Sequence, residues 1–210
     1  MQVAADTMVV YVGAMSHGGS LGFASEGTIY NENGSPEFLD SLYTRGQGAG
    51  DFGWWGGMIS FTDDVDWHWG ETTVGLVAGK HDFLTTAAHE LGHILGFGGH
   101  AHSWVECIAD GHFHGPASMA AYGGPVPLAN IAHWGEGVMS TYNGVAQETM
   151  MDPTTLSGVR QLPTVLDYAG LQDIGWEVTP VPVPPTLLLA ISGLTMFVPA
   201  LRRRSRCSGD

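Results

Sequence analysis

The sequence predicts an α+β domain, and three kinds of local pattern support this fold class. Residues 7–12 (TMVVYV) form an apolar run typical of a buried strand, and residues 57–61 (GMISF) predict a second strand. Residues 82–97 and 164–174 have the apolar spacing and end signals of helices. The chain contains 31 glycines, which indicate many turns and long irregular connections between these elements.

The first predicted helix has a start signal, an apolar face and a stop signal. Asp82 is a good N-cap, because its carboxylate can accept hydrogen bonds from the free N–H groups of the first turn. The glycines at positions 96, 98 and 99 are expected to end the helix. Its predicted apolar face, at spacings of three and four residues, consists of Leu84, Ala88, Leu91 and Leu95.

The other segments of the domain predict less regular structure. A short helix is expected near residues 36–43, and residues 98–153 are expected to be mainly loop. Thr164 and Asp167 resemble a capping box at the start of the second long helix. The folded domain is predicted to cover residues 1–178.

The charge of the chain limits its partners. The formal net charge is −14, and four of the seven Lys and Arg residues lie in the last nine positions. Phosphate binding needs a positive surface, so we do not expect nucleic acid as a partner. We expect a monomeric domain whose acidic residues mainly confer solubility, with acidic loops as candidate calcium sites.

The C-terminal part predicts a membrane anchor. Residues 179–185 are a proline-rich linker, and residues 186–210 contain an apolar segment followed by an arginine cluster. The apolar segment is short for a spanning helix, which needs roughly 20 residues, and the basic residues favour a cytoplasmic end. This layout is similar to the PEP-CTERM sorting segments of bacterial exported proteins, although its proline motif (VPVPP) lacks their usual glutamate. The resemblance implies handling by export and sorting machinery and an envelope or extracellular location.

Two further features bear on the cellular location. Residues 1–15 have no basic start, and Asp6 interrupts their apolar stretch, so we do not expect a signal peptide within this chain. Cys107 and Cys207 lie on opposite sides of the apolar C-terminal segment. A structural disulfide between them is therefore not expected.

Residues 89–93 read His-Glu-Leu-Gly-His and form the motif with the clearest chemistry. Positions i and i+4 share one face of a helix, so His89 and His93 can direct two imidazoles at one cation. Glu90 is offset by about 100° and points towards what the cation binds. An ordinary helix with surface histidines is the alternative, but the capped, glycine-terminated helix favours a metal site.

The longer motif HELGHILGF resembles the signature of the metzincin zinc peptidases. In that signature, a glycine three residues after the second histidine turns the chain towards a third histidine. Gly96 holds the glycine position, but position 99, where the third histidine would fall, is also a glycine. The sequence therefore departs from the pattern, and His100, His102 and His133 remain candidates for the third ligand, with a carboxylate as a further alternative.

Residues 113–134 and 148–150 are similar to leishmanolysin-like metzincins, in which a long insertion precedes the third histidine and a Glu-x-Met turn follows it. This resemblance favours His133 as the third ligand. It also implies that Met150 lies beneath the imidazoles, with Met151 as the alternative. The implied metzincin-like fold has a small twisted sheet and the active-site helix above a loop-rich lower subdomain with a final helix.

The resemblance implies a zinc-dependent endopeptidase that acts on protein or peptide substrates. His89, His93 and His133 would hold Zn²⁺, which lowers the pKa of a bound water, and Glu90 would act as the general base. The alternative is an envelope-anchored matrix or adhesion protein whose metal site is only structural. A closed site with four protein ligands would favour this alternative.

Overall fold

The computed structural model describes residues 7–27, 35–36 and 56–178. These residues form a mixed α and β structure with small sheets and four helices, which confirms the predicted fold class. The chain divides into a unit of residues 1–178 and a unit of residues 179–210, and the second unit lies outside the described residues.

The upper part is a three-stranded sheet made of β1 (Val9–Ala14), β2 (Gly22–Glu26) and β3 (Gly56–Phe61). β3 is central, with β1 parallel to it on one side and β2 antiparallel on the other. Both predicted strands therefore exist, but the expected burial of the first is wrong. Tyr11 and Val12 are 56% and 67% exposed, because the neighbouring helix packs mainly against β2 and β3 and leaves β1 uncovered.

Two short parallel strands, β4 (Trp67–His68) and β5 (His81–Asp82), lead into helix α1 (Phe83–Ile94). Asp82 caps this helix by accepting a hydrogen bond from the Thr85 backbone N–H at 3.1 Å. The helix ends where Gly96 adopts a φ of 115°, a conformation that favours glycine. The predicted start and stop of α1 are therefore confirmed.

The predicted apolar face of α1 is confirmed only in part, since Ala88 packs on a core and Leu95 is half-buried. Leu84 and Leu91 are exposed, whereas the buried positions include the polar residues Thr85, His89 and Glu90. The reason is that α1 is wedged between two cores. Its buried residue Ile94 belongs to the upper core beneath the sheet, while Ala88 packs on the lower core. At about 100° per residue, Leu84 and Leu91 lie opposite the histidines, in the gap between the two sides of α1 that pack on the cores.

The lower part contains more regular structure than the expected loops. It begins with α2 (His102–Val105), β6 (Ile108–Ala109), β7 (His112–Phe113) and α3 (Pro116–Tyr122). Next come β8 (Val126–Asn130), β9 (His133–Trp134) and a hairpin of β10 (Met139–Tyr142) and β11 (Val145–Glu148). The strands β6 to β9 form one antiparallel sheet in that order. These strands are only two to five residues long, too short for a periodic signal in the sequence.

A final helix, α4 (Val165–Asp173), closes the lower part. Its N-cap Thr164 and Asp167 form the predicted capping box in both directions. An aromatic cluster lies beside α4 and beneath the end of α1. Its fully buried members are Phe97, Trp104, Phe113 and Trp134. This cluster gives the loop-rich half of the domain its own core.

Several predicted elements lie outside the described residues. The short helix expected near residues 36–43 does so except for Pro36, and so do the linker, the apolar segment and the arginine cluster. No helix in the part of the chain that the structure describes is long and apolar enough to cross a membrane. The C-terminal anchor, the sorting machinery and the envelope location therefore stay predictions.

A buried ion pair fixes the start of α1. Arg160 donates to both carboxylate oxygens of Asp82, at 2.9 and 2.7 Å, and Asp82 is fully buried. Burial alone would raise the pKa of Asp82, but the hydrogen bonds from Arg160 and Thr85 outweigh it and lower the pKa below its ordinary 3.8. Arg160 also donates to the carbonyls of Gly70 and Glu71, so it ties the helix start to the preceding loop.

We predict that Arg160→Met lowers the free energy of unfolding by about 3 kcal/mol at pH 7, because Asp82 would keep a buried charge without its cation. Since the folded pKa of Asp82 is lowered, the contribution of the pair is complete above pH 3.8 and is lost as the pH falls through the folded pKa. Urea unfolding of both proteins at pH 7 and pH 3 measures this. An equal difference between them at both pH values would contradict the role of the ion pair.

Candidate metal centre

Three histidines from two separate elements meet in one cleft. His89 and His93 lie one turn apart on α1, and His133 begins β9. One side-chain nitrogen of each lies within 4.8 Å of the other two, and the Nε2 atoms of His89 and His133 are 3.1 Å apart. Two nitrogens bound to one tetrahedral zinc at 2.0–2.1 Å would be about 3.3 Å apart. These three residues are therefore close enough to bind one metal ion.

Each of the three imidazoles is oriented by a hydrogen bond at its other nitrogen. The Nδ1 of His89 donates to the carbonyl oxygen of Met150 at 2.8 Å, and that of His93 donates to the carbonyl of Phe97 at 2.7 Å. The Nδ1 of His133 lies 2.9 Å from Oδ1 of Asn130, an oxygen that also accepts from the Ala132 N–H. Metal-binding histidines in proteins are generally oriented in this way.

These hydrogen bonds determine which nitrogen carries the proton. A carbonyl oxygen can only accept, so the proton of neutral His89 resides on Nδ1, and the same holds for His93 and His133. Their Nε2 atoms are then lone-pair acceptors. His89 Nε2 and His133 Nε2, which are 3.1 Å apart, consequently both carry lone pairs and cannot form a hydrogen bond with each other. A cation between the two nitrogens would make their close approach favourable.

The protonation behaviour of the rings is consistent with this arrangement. Burial lowers the pKa of His89 to about 4 and that of His133 to about 3, and repulsion by the neighbouring rings adds to both shifts. Burial also lowers the pKa of His93. Neutral imidazoles are the form that binds metals, so protons compete with a metal less here than at free histidines.

Glu90 lies beside the histidines and lines the same cleft. Its side chain is buried, and burial raises its pKa to about 7. The carboxylate packs against Gly22 of β2, where any Cβ would overlap Oε1 of Glu90. Glycine at position 22 therefore makes room for the carboxylate between the helix and the edge strand. A divalent cation on the histidines would favour the charged carboxylate and bring the pKa of Glu90 down again.

The turn at Met150 and Met151 supports the histidines through its backbone. The carbonyl of Met150 accepts from His89, and the carbonyl of Met151 accepts from the Trp134 N–H at 3.0 Å, next to His133. Both methionine side chains approach Gly92 of α1, where a Cβ would overlap Sδ of Met151. The position of the Met150 thioether beneath the imidazoles, with Met151 as the alternative, stays a prediction. No sequence pattern indicated the role of the carbonyl groups.

A buried carboxylate holds this turn from below. Asp167 is fully buried and accepts from the N–H groups of Met150 and Met151 at 2.9 and 3.2 Å. It also accepts from Nε1 of Trp134 at 3.0 Å and from the N–H and hydroxyl of Thr164 at 2.7 Å each. Burial raises the pKa of Asp167, although these hydrogen bonds act in the opposite direction. One side chain therefore connects α4, the methionine turn and the neighbour of His133.

Of the other predicted ligand candidates, His100 is not part of the cluster. The side chain of His100 is 78% exposed and lies 3.4 Å from a carboxylate oxygen of Glu26. His102 begins α2, and its side chain lies outside the part that the structure describes. Sequence reasoning missed Asn130, Gly22 and the contacts of Asp167 with the turn. Asp167 had a signal as a capping residue, but nothing in the sequence connected it to residues 150 and 151.

A search of protein-family models, of curated proteins and of solved structures found no match to this chain. Among the described residues, no group of acidic side chains converges as the histidines do. The calcium sites expected in acidic loops therefore stay a prediction.

We predict that His133→Ala abolishes high-affinity zinc binding, whereas His100→Ala leaves zinc affinity within about threefold of wild type. Loss of one of three protein ligands weakens a metal site more than loss of a supporting contact, which costs about 10–100-fold. Competition with a chromophoric chelator measures both affinities. Zinc lost from the His100 variant and kept by the His133 variant would overturn the assignment of His133.

We predict that Asp167→Asn lowers the free energy of unfolding by about 3 kcal/mol and also weakens zinc binding. The amide keeps the shape but directs N–H groups at backbone donors, so at least one buried donor loses its acceptor. Asp173→Asn is the matched control, because Asp173 lies on the same helix but accepts from Ala117 and Ser118 in α3. It should cost about 1 kcal/mol and leave zinc affinity unchanged. Equal zinc affinity in all three proteins would contradict the supporting role of Asp167.

Proposed function

We propose that this chain is a zinc-dependent endopeptidase with a metzincin-like domain. The main supporting observation is that three unprotonated Nε2 atoms converge at the wall of an open cleft that Glu90 also lines. The cleft has a volume of about 940 Å³. Its lining includes the residues of β2 and residues 131–133 and 153–155. A cleft of this size can accommodate an extended peptide segment.

The donor set fits zinc. Three imidazoles suit zinc, copper, iron or nickel, whereas magnesium and calcium prefer oxygen ligands. A centre with three protein ligands leaves zinc one coordination position for water or substrate. When bound, zinc supplies Lewis acidity that makes a water molecule more acidic and polarises a peptide carbonyl. This chemistry needs a nearby proton acceptor, and Glu90 is the residue in position to act as one.

In the proposed reaction, Glu90 removes the proton from the attacking water molecule. The same carboxyl group then delivers this proton to the amine that leaves when the peptide bond breaks. Its enclosure between α1 and Gly22 limits access of bulk water to the carboxylate. His89, His93 and His133 hold the metal, and the carbonyls of Met150 and Phe97 keep two of these rings in the binding orientation.

A purely structural metal site is the alternative function. Such a site would use a fourth protein ligand in place of water. Among the described residues, the convergent group contains three histidines, and His100 pairs instead with Glu26. A buried carboxylate beside the metal position would also raise the cost of folding without any benefit to a structural site. Both observations favour catalysis.

We predict that Glu90→Gln reduces cleavage of casein by 10²–10⁴-fold while zinc binding remains near one ion per chain. Glutamine has the same shape, so it fits beside Gly22 but cannot accept the proton of the water. Zinc analysis and a casein assay on the same preparation measure both quantities. Glu71→Gln is a control of equal charge change on an exposed residue outside the cleft lining. Activity of the Glu90 variant above about one per cent of wild type would refute the mechanism.

A further inference from the structure

Glu26 is an acidic side chain inside the cleft that the proposed reaction does not use. It is the last residue of β2, and it shares the helix-facing side of that strand with Gly22 and Ala24. Its side chain is only 12% exposed and lines the cleft together with the histidines. The carboxylate lies against Gly98, where a Cβ would be 2.9 Å from Oε1. Glu26 is therefore held in place within the cleft.

The charge of Glu26 is only weakly compensated. Its one ion pair among the described residues is the 3.4 Å approach to His100, whose side chain is 78% exposed, and its charge also acts on His93. No Lys or Arg is found among the described residues that line the cleft. The two described cations outside it are already paired, Lys80 with Asp66 and Arg160 with Asp82. A largely buried carboxylate with a weak partner can gain from a cation supplied by a ligand.

We propose that Glu26 forms a subsite that selects a lysine or arginine side chain of the substrate, an inference that rests on the proposed endopeptidase function. The ammonium or guanidinium group replaces His100 as the partner of Glu26 and makes a charge-assisted hydrogen bond. The whole chain has a net charge of −14, which attracts the same basic substrates from solution.

The geometry of β2 gives the position of the selected residue. Gly22 abuts Glu90, next to the site of reaction, and Glu26 lies four residues further along the strand. At about 3.3 Å per residue, this separation is about 13 Å. An extended substrate advances by the same distance per residue, and a Lys or Arg side chain can reach along the cleft. The basic residue should therefore lie two to four residues from the scissile bond, on one side only.

The test uses zinc-loaded full-length protein and a set of peptides that share one cleavable sequence. Each peptide carries Lys, Arg or norleucine at one position up to four residues from the scissile bond. Wild type should show a kcat/KM at least about tenfold higher for Lys or Arg than for norleucine at one of these positions, as expected for a charge-assisted contact. Glu26→Gln should reduce this ratio to about twofold or less. Glu71→Gln, with the same loss of charge outside the cleft, should retain it.

A second variant should act in the opposite direction. His100→Ala removes the competing partner of Glu26, so the ratio for Lys over norleucine should increase.

Wild type that cleaves the peptides without preferring a basic residue would refute the subsite and leave the proposed function intact. A Glu26 variant that keeps the preference would refute the subsite in the same way. Wild type that cleaves none of the peptides while it retains zinc would refute the proposed function and this inference with it.

Discussion

Five donors from three separate segments converge on the carboxylate of Asp167, and the geometry of the candidate metal centre depends on this contact. The segments are the start of α4, the turn at Met150 and Trp134. A buried carboxylate must have its lone pairs hydrogen-bonded, so its contacts fix the position of each donor. The carbonyl of Met150 can then orient His89, and the carbonyl of Met151 can place the strand that begins with His133. The histidines are thus aligned through the backbone of a turn whose own position is set by one side chain.

The second constraint is the position of α1 between two cores. Its helical periodicity presents four faces: one to the sheet, one to the methionine turn, one to the cleft and one to solvent. Glycine at two contact positions allows the close approach. Gly92 lets the methionines pack against α1, and Gly22 lets the edge strand approach Glu90. A helix held from two sides can carry buried polar residues on its third side, because the packing that fixes it does not depend on them. This explains how His89 and Glu90 come to be buried.

Capping and stop residues in the sequence correctly predicted those features of the fold that depend on interactions within a few residues. The cap at Asp82, the glycine stop after Leu95 and the capping box of Thr164 and Asp167 all act within a few residues, and the structure has each of them. The burial of faces was less predictable. Leu84 and Leu91 have helical spacing yet are exposed, because which face of a helix is covered depends on segments distant in sequence. The same limit applies to Gly22, whose partner Glu90 is distant in sequence. Asn130 and His133 are only three residues apart, but their contact depends on a loop turn that no sequence pattern indicated.

The arrangement of the three histidines favours a bound cation and destabilises the folded chain when no cation is bound. Each Nδ1 is committed to a protein acceptor, so each Nε2 brings a lone pair into a buried space shared with the others. Protonation of one ring would relieve this repulsion, but burial opposes the charge and lowers the pKa of all three. A divalent cation satisfies all three lone pairs at once, and its binding free energy then adds to the stability of the fold. Glu90 strengthens the same linkage, because its burial without a neighbouring cation favours the uncharged acid. The proposed metal would therefore bring the three histidines and the carboxylate together into their reactive protonation states.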